Sequence, residues 1–97
     1  MFTNPGGDFV RAWGLQGAGN GQFNFPLDIA VTSASVFVSD LHNHRIQEFR
    51  KADSVFVRSW GSQGNAAGQF DGPSGIAAHS GLVYAAECDN HRVQTFR

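Results

Sequence analysis

Short apolar runs alternate along the chain with polar, glycine-rich stretches, and no stretch holds a capped 3.6-residue apolar period, so essentially no helix is expected. Residues 9–13, Phe9-Val10-Arg11-Ala12-Trp13, are aromatic and β-branched and are closed by Gly14, which predicts a strand. A Gly/Gln/Asn-rich loop follows over 15–25, and Pro26 bars a ladder bond at its end. Further short strands are predicted at 29–31, 36–38, 45–49 and 55–60, with a tight connection at 32–34 and a polar turn at 40–43. Apolar groups fall on both parities of these runs, whereas a sheet wetted on one side alternates more strictly. The pattern is that of an all-β protein whose sheets are covered on both faces.

The chain is also a repeat. Phe9-Val10-Arg11-Ala12-Trp13-Gly14 returns as Phe56-Val57-Arg58-Ser59-Trp60-Gly61, a shift of 47 residues. The same shift carries Gly21-Gln22-Phe23 onto Gly68-Gln69-Phe70, Pro26 onto Pro73, and Ile29-Ala30 onto Ile76-Ala77. It carries Asn43-His44-Arg45-Ile46-Gln47 onto Asn90-His91-Arg92-Val93-Gln94 without a gap. About 21 of 47 aligned positions are identical, which makes residues 1–97 a single unit of two tandem repeats at approximately 9–50 and 56–97. A period of 40–50 residues holding four strands is that of a β-propeller blade; a two-repeat sandwich is the alternative.

Composition supports sheets covered on both faces. Only 15% of residues are charged, against a usual quarter, while Gly numbers 12 and Phe 9, so the chain has little solvated surface and many turns. A net charge of −1 gives no footprint for nucleic acid or an anionic membrane. No apolar run is long enough to span a bilayer as a helix, and the opening residues 1–5 lack the pattern of a secretion signal. Cys88, the single cysteine, cannot staple the fold; it fits a reducing, cytoplasmic setting and aligns with apolar Leu41, as an inert filler.

Trp-Gly, then Gly-Gln-Phe, Pro-Ser-Gly-Ile-Ala and the twice-occurring Asn-His-Arg-(Ile/Val)-Gln together resemble the NHL repeat, over nearly the whole chain after residue 8. Asp28 departs from the pattern where Gly75 keeps it, and Thr32 and His79 stand where Asp is common; these read as local turn changes. The resemblance implies a propeller, often of six blades, with strands running from the axis outward. Residues 29–31 are then innermost and 55–60 outermost, so 9–13 is an outermost strand without a blade of its own and the second blade lacks its outer strand. Two four-stranded blades left alone would expose roughly 600 Å² of largely apolar face, at or above the patch a soluble monomer tolerates. Strand exchange with copies of the chain, head to tail, removes that face. Six blades make a homotrimer, four a dimer and eight a tetramer.

Candidate chemistry is sparse. Asp40, Asn43, His44 and Arg45, with Glu87, Asn90, His91 and Arg92, recur at equivalent places and read as a structural motif, a carboxylate–guanidinium bond pinning each turn. His42 and His79 have no repeat partner and read as surface or turn residues; no His-x-His or His-Glu-x-x-His spacing points to a metal. The Gly-rich loops lack a P-loop ending, the serines lack a Gly-x-Ser-x-Gly context, and no cofactor, catalytic residue or metal ligand is assigned. The expected role is a non-catalytic, self-assembling scaffold that mediates protein–protein interaction through its loops. Two other readings follow from the resemblance: an RNA-binding module, or a fragment of a six-bladed lyase or lactonase.

Overall fold

The computed structural model describes residues 6–97; the reading of residues 1–5 as lacking a secretion signal lies outside the described residues. Strands β1 (Pro26–Val31), β2 (Ser35–Asp40), β3 (Arg45–Arg50) and β4 (Phe56–Trp60) form one antiparallel sheet in chain order. Strands β5 (Pro73–His79), β6 (Leu82–Glu87) and β7 (Arg92–Phe96) form a second. Turn chemistry sets these registers. Thr32 Oγ1 accepts from the amides of Ala34 and Ser35 at 3.3 and 3.0 Å and closes the β1–β2 hairpin. The equivalent turn in the second sheet is Ser80-Gly81, both with positive φ, the two-residue type I′ geometry that matches strand twist. Between β2 and β3 a single 3-10 turn, Leu41–Asn43, is stopped by His44 in the left-handed region at φ 51.

The two sheets stack face to face. Ala30, Phe37 and Ile46 of the first sheet form one buried cluster with Phe70, Val83 and Ala85 of the second, edged by Trp60, Ile76, Ala78 and Phe96. Trp60 meets Phe37 edge-on at 6.2 Å and Phe96 at 5.6 Å, so β4 binds both blades. On the outer side of the first sheet, Val36, Val38 and Phe49 are buried with Phe23 and Phe56 packed on them, while Leu27, Ile29 and Val31 are exposed.

One expectation is corrected. Residues 9–13 form no strand, while the second sheet has three strands among the described residues, as expected of a blade without its outer strand. A strand exists only where its backbone has a partner, and within one chain the free edge of β7 receives none. Residues 9–13 lie against the first blade instead. Trp13 sits edge-on to Phe49 at 5.7 Å, as its repeat equivalent Trp60 sits on Phe96, and an Arg11 guanidinium nitrogen donates to Ala52 O at 3.1 Å. The segment thus holds, relative to blade 1, the place β4 holds relative to blade 2.

Asp28 is no local turn change. It follows an irregularity in the β1 register, and its carboxylate accepts from two amides, Ile29 N and Ile76 N, each at 2.9 Å. These amides occupy equivalent positions in the two blades, so one side chain ties both innermost strands together. Gly75, at the same place in the second repeat, has no such side chain.

Candidate functional site

The recurring polar residues form a clamp, built twice. β2 ends in Asp40 and β3 begins at Arg45, with the 3-10 turn between them bringing Asn43 beside both. Arg45 Nε donates to Asp40 Oδ2 at 2.9 Å. The rest of its guanidinium spreads over the Gly-rich loop, donating to the carbonyls of Ala18, Gly19 and Gln22 at 2.7–2.9 Å. Asn43 Nδ2 donates to Gly17 O and to Asp40 Oδ2, at 2.8 and 2.9 Å. Asp40 Oδ1 takes the Asn24 amide at 2.7 Å. Asp40 is fully buried, and apart from the Arg45–Asp40 and Asn43–Asp40 bonds within the turn, these bonds fall on the segment that carries the chain from residues 9–13 into β1.

The second copy repeats the pattern with Glu87 in place of Asp40. Arg92 Nε donates to Glu87 Oε2 at 2.6 Å, and its terminal nitrogens reach the carbonyls of Asn65, Ala66 and Gln69. Asn90 Nδ2 donates to Gly64 O and Glu87 Oε1, at 2.9 and 2.8 Å. A rigid planar guanidinium suits this task because its donors diverge in one plane toward carboxylate and carbonyls at once.

Sequence reasoning left out four members. Gln47 donates to Gln22 O at 2.6 Å and accepts from Gly21 N at 2.9 Å, and Gln94 does the same with Gln69 O and Gly68 N. Gln22 and Gln69 turn their side-chain oxygens back to the amides of Gly19 and Ala66. Identity of all four glutamines across the two repeats was the available signal.

The histidines of the motif divide. His44 Nδ1 accepts from Gly72 N of the second blade at 3.4 Å, so it spans the seam between sheets; His91, its equivalent, is exposed. His42 and His79 are exposed, His42 lying against the Phe25 ring at 5.1 Å. Cys88, read as filler, is exposed, whereas its equivalent Leu41 lies beside Gly72 of the second sheet. Among the described residues no three of His, Cys, Asp and Glu gather to hold a metal ion.

Burial pushes the Glu87 carboxyl up, and hydrogen bonds from Arg92, Asn90, Gln94 and the Asp71 amide together more than reverse this, holding it below its ordinary 4.5. The folded state therefore binds the proton less readily than the unfolded chain. The stability this group adds is full above about pH 4.5 and falls as pH drops through the lower folded value. Melting temperature should decline on acidification below that point, and Glu87→Gln should flatten the decline while lowering stability at neutral pH. Asn90→Ala removes two bonds and should cost about 1–2 kcal/mol by urea denaturation.

The clamp and the two stacked sheets agree with what comparison finds. The NHL repeat matches residues 23–49 and again 70–96, together more than half of the chain. No curated protein matches it. Each matched segment runs from the Gly-Gln-Phe phenylalanine through the third strand of its sheet and so contains the carboxylate, Asn, Arg and Gln of one clamp. The chain belongs to the NHL-repeat family.

Proposed function

We propose that the protein is a non-catalytic β-propeller scaffold, assembled head to tail from copies of this chain and binding other proteins through its Gly-rich loops. One observation carries the assembly. Ala30, Phe37, Ser39 and Ile46 are buried on the side of blade 1 that faces blade 2, yet their equivalents Ala77, Tyr84, Ala86 and Val93 are exposed. Ile46 is 0% exposed and Val93 64%. The same surface that blade 1 covers with a neighbour stands open on blade 2, and the unpaired edge of β7 borders it. Leu27, Ile29 and Val31 form the opposite open face. A second copy offers both what is missing on one side and what is in excess on the other.

The non-catalytic reading is supported by the state of the motif. Its carboxylates and guanidinia are committed to fixed bonds with each other and with loop carbonyls, which leaves them no freedom to move a proton. What the loops present outward is polar and of mixed character: Asn20, His42, Asn65 and Asp89 are exposed at one end of the sheets. That surface suits hydrogen bonding to protein loops, and its mixed charge disfavours a nucleic-acid backbone. Sedimentation equilibrium tests the assembly. Six blades correspond to three chains of 10.5 kDa, and a multiple of that mass is expected. A 10.5 kDa particle at micromolar concentration and above contradicts the reading. Single-stranded RNA binding at moderate salt would instead favour a nucleic-acid role.

A further inference from the structure

We infer that the seam between copies is a distinct, size-matched interface, in which Phe25 of one copy fills the space left by Cys88 of the next. This rests on the head-to-tail assembly proposed above and names the pair that specifies it.

The seam within the chain supplies the template. Gly72 lies there at φ +71, and a Cβ added to it would stand 3.1 Å from Asp89 Oδ2 and 3.7 Å from Leu41 Cδ1 of the preceding blade. The repeat shift converts each of these residues. Gly72 becomes Phe25, Asp89 becomes His42, and Leu41 becomes Cys88. Phe25 does lie against His42, at 5.1 Å, so the first half of the correspondence is already present in one chain. The second half requires a copy whose blade 2 precedes blade 1.

Around Phe25 and Cys88, sizes change in opposite directions on the two sides. On the open face of blade 1, Gly72 is replaced by Phe25 and Ala78 by Val31, each a gain. On the open face of blade 2, Leu41 is replaced by Cys88 and Ile46 by Val93, each a loss, while Phe37 becomes Tyr84 and gains one hydroxyl. Close-packed interiors tolerate swaps that keep total volume and resist those that do not. A face enlarged at Phe25 fits poorly on a neighbour carrying Leu and Ile, and fits one carrying Cys and Val. The complementary pair of faces occurs on the two ends of this same chain, which selects a second copy as the occupant.

Phe25 itself carries an independent mark. It is 54% exposed and holds a φ of 65, a region that a bulky residue rarely adopts and that Gly72 adopts freely. A large apolar side chain held out from such a backbone stays half exposed with the His42 ring against it. Contact with a neighbour gives it a surface to cover.

A double-mutant cycle on the full chain tests the pair, read by association constant and by the rate at which maleimide labels Cys88. Phe25→Gly eases the backbone, so its fold by circular dichroism should persist while association weakens on the order of 30-fold. Cys88→Leu alone overpacks against Phe25 and should weaken association about tenfold. The double variant F25G/C88L copies the internal seam and should return to within a few-fold of wild type. In wild type, Cys88 should be shielded when assembled and labelled on dilution. Strictly additive losses in the cycle, or labelling indifferent to assembly, overturn the pairing while leaving an observed oligomer standing. A wild-type monomer at all concentrations overturns the assembly itself.

Discussion

Arg45→Ala is expected to cost about 3–5 kcal/mol, a large share of the ~5–15 kcal/mol typical of a domain of this size. The Arg45 side chain is 11% exposed and that of Asp40 0%, so removing the guanidinium strands a carboxylate with no access to water. Three loop carbonyls, those of Ala18, Gly19 and Gln22, each lose one donor at the same time, Gln22 O keeping Gln47 and Gly19 O the Gln22 amide. The loop they hold delivers residues 9–13 to the face of blade 1 that carries Phe49, so local damage should spread to the Trp13–Phe49 contact. Arg45→Lys should rescue little, since a single ammonium cannot face Asp40 and three carbonyls together. Arg92→Ala should cost less, about 2 kcal/mol, because Arg92 is 29% exposed and water can replace part of what is lost. Urea denaturation of the three variants, read by tryptophan fluorescence, checks both the size and the order.

Val31→Asp should leave the single chain folded and abolish association. Val31 is 52% exposed on the open face of blade 1, so an aspartate there stays hydrated in the free chain. In the assembled seam the same carboxylate would be buried without a partner, at a cost of about 4 kcal/mol, near a 10³-fold loss of affinity. Circular dichroism unchanged from wild type, with a sedimentation profile moved to 10.5 kDa, is the expected result. An unchanged oligomer would remove this face from the interface.

The repeat, the strands and the carboxylate–Arg–Asn constellation were legible because each rests on local signals that occur twice. Pro26 and Pro73 mark the starts of β1 and β5, residues 32–34 the first hairpin, and the Asn-His-Arg run the turn after β2. What stayed hidden depends on the stacking of one blade on the next. Asp28 looked like a turn substitution because its second amide, Ile76 N, lies far along the chain and is brought near only by the seam. Cys88 looked like filler because it aligns with apolar Leu41, and alignment cannot register that Leu41 is packed beside Gly72 of the second sheet while Cys88 is exposed. Residues 9–13 carry every propensity of a strand and form none, since pairing is a property of two segments and propensity of one. The division of roles between His44 and His91 has the same origin: identical residues, with a following blade beside only the first.

The central claim is that residues 9–13 of one copy pair with β7 of another. The β3–β4 register places Glu48 opposite Arg58, and the repeat shift turns this into Thr95 opposite Arg11 of the next copy. Cysteines at these two exposed positions, Arg11→Cys and Thr95→Cys in a Cys88→Ser background, can be oxidised and run without reductant. The account predicts chain-to-chain disulfides, seen as covalent multimers that return to the single chain on reduction. A disulfide confined within one chain, or none at all, would contradict it.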